Sequence, residues 1–265
     1  MFGWFSLREA IGMQSRGFQP KGDRADYHDR APIRGLITLG YKHHLGKHLT
    51  LPAWNFHLDR LTNMTWLQAD AQYKHFFGGL QYVQERASSY QKRLPYDQRY
   101  YQPGEVGQVL SFQGGYRLGK VRLSGAYLRA FGSGRFLYPR ELGREDFYAS
   151  QPRSWIDGFG NTSVYLLRAS YERKVADKAI LKADWRLSYT ATPGAGETEC
   201  NKYRIPSFFQ STARLRYQPK GFLEGLECMI LYIYKRSPGQ PTLAPEDIYY
   251  RTNLHHLNLV TNINF

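Results

Sequence analysis

The stretch Asn253-Leu254-His255-His256-Leu257-Asn258-Leu259-Val260-Thr261-Asn262-Ile263-Asn264-Phe265 closes the chain and decides its reading. Leu257, Leu259, Thr261, Ile263 and Phe265 fall on one side of an extended backbone, and His256, Asn258, Val260, Asn262 and Asn264 on the other. Successive side chains of a strand point to opposite faces, so this segment reads as a strand with one apolar and one polar face. A soluble β-sandwich uses such strands too. What matters is that the segment stops on an aromatic residue with no polar tail, and whether its pattern recurs upstream.

It recurs ten times. Strands are expected at 35–44, 49–59, 63–74, 79–88, 107–117, 120–130, 162–173, 178–190, 207–217, 225–235 and 253–265. Each has the length of about ten residues that a tilted strand needs to cross a bilayer. In 178–190, Leu181, Ala183, Trp185, Leu187 and Tyr189 oppose Lys182, Asp184, Arg186, Ser188 and Thr190. In 207–217, Phe209, Ala213, Leu215 and Tyr217 oppose Gln210, Thr212, Arg214 and Arg216. Strands 107–117, 162–173 and 63–74 divide the same way, with Arg117, Arg168 and Lys74 on their polar faces. An Arg or Lys facing lipid at mid-membrane costs about 2–4 kcal/mol, so these faces must look inward. A small closed core would not accept so many charges without partners, so a wet interior enclosed by many strands is expected. The facing of 49–59 and 225–235 stays open, because neither sorts into two faces.

The connections alternate in length. Leu118-Gly119, residues 174–177 and residues 218–224, which carry Pro-Lys-Gly, are short. Polar stretches with Pro and Gly at 89–106, 131–161, 191–206 and 236–252 are long. Short turns at one end and long loops at the other are the asymmetry of outer-membrane barrels. The fold class is therefore all-β: a transmembrane antiparallel up-and-down barrel, with residues 1–34 an irregular segment and 35–265 the carboxy-terminal part of the barrel.

Composition agrees and excludes alternatives. Mean hydropathy is −0.56, and no stretch approaches the roughly 20 apolar residues of a spanning helix. Aromatic residues make up 15% of the chain, with 21 Tyr, 15 Phe and 5 Trp, a composition suited to interfacial girdles. The net charge of +14 raises nucleic acid as a partner, but the cations are spaced by strand period and form no tract, so none is expected. Cys200 and Cys228 have no metal-ligand spacing and form no disulfide framework. Residues 1–30 lack the basic and apolar regions of a signal peptide. Eleven strands are an odd number where single-chain bacterial barrels use even ones. Missing upstream strands would account for both gaps; a poor twelfth strand within residues 1–13 is the other option.

Candidate chemistry is sparse. The run Lys42-His43-His44-Leu45-Gly46-Lys47-His48 places its paired histidines on opposite faces, as does His255-His256, so no metal site is assigned. No serine is spaced to pair with these histidines for catalysis. Arg140, Glu141, Arg144, Glu145 and Asp146 read as a loop salt-bridge network. No catalytic residue and no cofactor is assigned. The inward cations form a different set: Lys74, Arg117, Arg122 and Arg168, then Lys182, Arg186, Arg214 and Arg216. They come from six strands under one facing rule and outnumber Asp70, Glu172 and Asp184, so a basic ladder along a pore is expected.

The terminal Phe265 resembles the closing aromatic of Gram-negative outer-membrane barrels, which the assembly machinery reads. Residues 49–74, with Trp54, Asp59 and Asn63, resemble a hairpin of OprD-type porins. Phe136-Leu137-Tyr138-Pro139-Arg140-Glu141-Leu142-Gly143-Arg144-Glu145-Asp146-Phe147-Tyr148, continuing to Gly158-Phe159-Gly160-Asn161, resembles a loop of the same family. The resemblance covers residues from about 35 to the end. It implies an eighteen-stranded parent of which this chain begins at the eighth strand, a place in the cell outer membrane, and passive uptake of small carboxylate-bearing solutes along basic residues. Its implied partners are outer-membrane lipids, the assembly machinery and small anionic or zwitterionic solutes; monomer and trimer both stay open. The family's constriction loops are not placed. Eleven strands of such a parent should leave a gap between 35–44 and 253–265, with residues 1–34 poorly packed. The competing reading is a barrel whose long loops bind a ligand or carry a hydrolase activity.

Overall fold

The computed structural model describes residues 16–27, 33–139, 143, 145–175, 179–239 and 243–263. Eleven strands form one sheet in sequential order, every neighbouring pair antiparallel. They are β1 (Leu36–Leu45), β2 (Leu49–Leu58), β3 (Thr62–Tyr73), β4 (Phe76–Ala87), β5 (Val106–Leu118), β6 (Val121–Ala130), β7 (Thr162–Val175), β8 (Ala179–Ala191), β9 (Phe208–Pro219), β10 (Leu226–Arg236) and β11 (Leu254–Ile263). All eleven expected strands are present. Among the described residues β1 pairs only with β2 and β11 only with β10, so the sheet does not close on itself.

The links from β1 to β2, β3 to β4, β5 to β6, β7 to β8 and β9 to β10 are short and share one end of the sheet. The long links share the other, with one exception. Residues 59–61 join β2 to β3 at the loop end, because Leu58 and Leu61 are fully buried under the neighbouring connections and hold the chain in a tight turn. Arg60 makes that turn at φ 65°.

One face of the sheet carries an apolar band. Leu39, Leu67, Leu123, Leu167, Leu215 and Leu259 are exposed on it, with Phe112, Tyr165, Trp185 and Phe209 among its rings. Water would not tolerate a continuous apolar surface on this scale, whereas hydrocarbon accepts it. The facing that stayed open in two strands is resolved by register. Trp54 of β2 lies opposite Trp66 of β3 and Phe56 opposite Met64, all on the inner face. In β10, Leu231 and Ile233 are buried inside while Ile230, Tyr232 and Tyr234 are exposed outside. Both faces of these strands are apolar at the loop end, which is why alternation alone could not sort them.

The inner face is not wet throughout. The connection between β6 and β7 turns inward across it, and Phe136, Tyr138, Phe147, Ala149 and Ile156 pack on Met64, Trp66, Val83, Val109, Leu128 and Leu166. The expectation of a wholly hydrated interior is corrected here: the loop end of the inner face is a packed apolar core. Two buried carboxylates pin this loop. Glu85 of β4 accepts from the Leu137 amide at 2.8 Å and from the Tyr101 hydroxyl. Glu105 accepts a fork from Arg135, Nε to Oε1 at 2.7 Å and Nη2 to Oε2 at 3.1 Å. Burial works against the charge of Arg135, but Glu105 more than offsets it and holds the guanidinium pKa above its ordinary value.

The opening segment also departs from expectation. Within residues 16–27, Phe18, Gln19 and Tyr27 are buried, and Arg135 Nη1 donates to the Phe18 carbonyl at 2.8 Å. Tyr27 joins Tyr100, Tyr101 and Leu137 in a second apolar cluster. This part of the opening segment is thus irregular but well packed, because its aromatic residues cover the loop layer.

Candidate functional site

Strand register gathers most of the expected basic ladder on the inner face toward the turn end. Arg117 of β5 stands directly opposite Arg122 of β6, Arg168 of β7 opposite Arg186 of β8, and Lys182 of β8 opposite Arg216 of β9. Arg214 is opposite Asp184. Asp184 is the hub: Arg168 Nε lies 2.5 Å from Oδ2, Arg186 Nε 2.8 Å from Oδ1 and Arg214 Nη2 3.6 Å from Oδ1. Glu172 pairs with Lys182 at 3.3 Å, and Glu227 with Arg216 at 3.4 Å.

Opposed like charges are unfavourable unless something compensates them. For Arg122 the compensation is a ring: its guanidinium lies 3.7 Å from the Phe77 centroid. Phe77 can lie there because its neighbour across the pair is Gly115, where a Cβ would stand 2.2 Å from the ring. Among the described residues neither Arg117 nor Arg122 has an acidic partner within ion-pair distance.

Lys74 does not belong to the ladder. β4 begins at Phe76, three residues earlier than alternation suggested, so Lys74 sits in the tight turn after β3 at φ 53° with its ammonium 5.3 Å from the Tyr73 ring. In its place two cations absent from the expected set reach the same cleft: Lys120 in the turn after β5 and Lys174 near the end of β7. Lys120 is in a turn and has no face to assign; Lys174 was missed because β7 runs past the expected strand end at 173.

The cleft has a volume of about 610 Å³. Arg117, Arg122, Arg168, Lys182, Arg214 and Arg216 line it with Lys120 and Lys174, against the carboxylates of Glu172 and Asp184. Arg122 and Arg168 are shared with a second cleft of about 410 Å³ nearer the loop end, which Arg186 also lines. Across that space stand Trp54, Trp66, Gln68 and the inward loop with Asp146 and Tyr148. The two clefts meet at Arg122 and Arg168, so the cations stand beside a wall of rings, amides and one acid. Trp54 and Trp66 could have been found from sequence as same-face tryptophans on paired strands; the loop residues carry no such signal.

The loop side of the second cleft is latched. Tyr148 donates to Asp70 of β3 at 2.5 Å, and its ring lies where only glycine fits, a Cβ at Gly79 coming within 2.2 Å of the hydroxyl. Burial first, then the bond to Asp70, pushes the Tyr148 phenol far above its ordinary value, so it stays protonated. The Ser150 carbonyl accepts from Arg186 at 3.0 Å and the Asp146 carbonyl from Gln81 at 3.1 Å. Of the expected loop network, Glu145 accepts from the Ile156 amide at 2.7 Å. Arg140, Glu141 and Arg144 lie outside the described residues, as does Phe265.

The architecture is similar to that of solved outer-membrane porins of the OprD/Occ group. Acinetobacter baumannii OccAB3 superposes with a TM-score of 0.59 at 15% identity, covering 87% of this chain and 55% of its own. Pseudomonas aeruginosa OccK3 (OpdO) gives a TM-score of 0.63 at 14% identity over 91% of this chain and 57% of its own. Pseudomonas aeruginosa OccK11 (OpdR) gives 0.60 at 12% identity over 98% and 62%. The chain thus has the fold of these barrels and spans little more than half their length. No family model and no curated protein sequence matches it.

Proposed function

We propose that this chain forms part of the wall of an outer-membrane porin that passes small carboxylate-bearing solutes by diffusion. The observation that carries the reading is the turn-end cleft, where eight cations face two carboxylates. A narrow passage with low-dielectric walls concentrates such a field and raises the local density of anions. Arginine grips a carboxylate with two parallel hydrogen bonds. Passive conduction needs these grips weak and serial, and cations spread over five strands supply that. The apolar band contacts outer-membrane lipid, and Phe265 serves the assembly machinery. The channel carries out no chemistry on its solute. The inward loop narrows the passage from the opposite side, so size and charge are selected at one place.

The test is electrical. In planar bilayers under a salt gradient, the protein should favour chloride and small carboxylates over cations. Changing Arg186, Arg214 and Arg216 to Gln should lower the anion-to-cation permeability ratio severalfold. Unmoved reversal potentials would show that the cations only hydrate the wall.

A further inference from the structure

The outward face of the sheet changes character along its strands. On β3 to β6 every outward position of the turn-end half is Leu, Val, Phe, Tyr, Ala or Gly. The loop-end half is different. Asn55, Thr65, Gln84 and Gln108 stand in one cross-strand row over β2 to β5. One row nearer the loops, Asn63 lies opposite His57 and Arg86, and on the next strands Arg129 lies opposite Ser163. Alternation puts all of them on the side of the exposed Leu67, Leu80, Phe112, Leu123 and Leu167.

These groups are knitted together. Asn55 donates to Asn63 at 3.0 Å and to Thr65 at 3.1 Å. Gln108 and Gln84 donate to the Tyr82 hydroxyl at 2.8 and 3.2 Å, and Ser133 donates to Gln108 at 3.1 Å. Amides held against acyl chains are costly, so this belt fits a polar headgroup layer. Position alone does not demand it. At the loop end of β8 to β11 the outward face is built of rings, Tyr189 on Phe209 at 4.5 Å and Tyr234 on His255 at 4.8 Å.

The belt is also basic. No outward strand position from β2 to β7 is Asp or Glu. Arg86 is exposed, and among the described residues neither it nor Arg129 lies within ion-pair distance of an acid. Arg129 donates through Nη1 to Ser163 at 3.1 Å and through Nη2 to Asn161. A guanidinium has five N–H donors, so three remain. A second copy docked through the same patch would meet these arginines with arginines. A phosphate meets them with the opposite charge, and sugar hydroxyls match the amides.

We propose that the loop-end outward face of β2 to β7 seats a phosphorylated glycolipid of the outer leaflet, its phosphates on Arg86 and Arg129 and its sugars along the amide row. Long loops lie outside the cell in barrels of this kind, so the belt stands at outer-leaflet height. The acyl chains then run down the apolar band. The inference rests on the membrane placement and needs nothing from the solute that the channel passes.

Native mass spectrometry of the whole chain in detergent micelles tests it, with a bisphosphorylated diglucosamine lipid as the probe. The wild type should hold this lipid at least about tenfold more tightly than its dephosphorylated form or phosphatidylglycerol. Arg86→Gln with Arg129→Gln should weaken binding by about tenfold or more. Arg86→Gln alone alters an exposed side chain, leaves the fold in place and should weaken binding severalfold. The Gln triple variant of the ladder should bind as the wild type does. Undiminished binding in the Arg86 and Arg129 double variant, or no retained lipid in the wild type, would overturn the site. Equal retention of phosphatidylglycerol would overturn the glycolipid class, and equal retention of the dephosphorylated lipid would overturn the role of the arginines. A lipid-free dimer that the double variant abolishes would assign the belt to a second copy instead. Reversal potentials separate this from the channel reading: the Arg86 and Arg129 changes leave them in place, and ladder changes move them.

Discussion

Leu166 and Arg168 stand two residues apart on the inner face of β7, and they live in different media. Leu166 is 4% exposed, packed against the inward loop. The Arg168 side chain is 36% exposed, in a cleft with seven other cations. Two residues of strand are about 7 Å. Over that distance the inner wall goes from a dry core to a charged cleft. Period-two alternation assigns both residues to the same face, so alternation alone says nothing of this boundary. The connection after β6 draws it: where its apolar side chains lie on the sheet they meet Met64, Trp66, Val83, Val109, Leu128 and Leu166, and toward the turn end the inner positions are basic.

The largest expected effect attacks what holds the dry half in place. Arg135 is 1% exposed and forked on Glu105. Arg135→Met leaves a buried carboxylate without its partner, at about 3–5 kcal/mol. Unfolding by urea should shift by that amount, and proteases should cut the 131–161 loop much faster. A loop as protected as in the wild type would mean that apolar contacts alone keep this half dry.

The boundary itself is sharpened by treating its two residues alike. Leu166→Ala removes a buried side chain from the core and should cost about 3 kcal/mol. Arg168→Ala should cost about 0–1 kcal/mol, since Asp184 keeps Arg186 at 2.8 Å and Arg214 at 3.6 Å. Unfolding midpoints of the two variants measure the contrast. Equal losses would erase the distinction between the halves.

Strand positions were legible because alternation is local: each ten-residue segment carries its own two faces. The inner burial was not, because it depends on a partner far away in the chain. Alternation left the facing of Trp54, Phe56, Leu231 and Ile233 open; Trp54 and Phe56 pack on the loop's apolar cluster, and Leu231 and Ile233 are buried. Lys74 was misplaced by a turn two residues long, which Phe76 and Phe77 end by starting β4 early. The ladder from Arg117 to Arg216 was legible as a set because most of its members lie toward the turn ends of their strands, where polarity reports facing directly.

A further effect, smaller than the loss of Arg135 or Leu166, lies on the latch between the halves. Tyr148→Phe removes one hydrogen bond to the Asp70 carboxylate and keeps the ring against Gly79, so about 1–2 kcal/mol is at stake. Its pH dependence has a definite sign. The phenol is raised above its ordinary 10.0 in the folded chain, so the unfolded chain loses this proton first as pH rises. The contribution is whole below about pH 10 and declines above it, as the unfolded tyrosine ionises and the folded one does not. The gap in unfolding free energy between wild type and Tyr148→Phe should therefore be constant from neutral pH to about 10 and shrink beyond. Single-channel conductance should rise slightly in the variant at every pH below that point, as the loop edge loosens beside the cations. A conductance identical to the wild type, with the same stability gap, would mean that Tyr148 fastens the loop without bordering the passage, and the narrowest point would then lie deeper among the arginines.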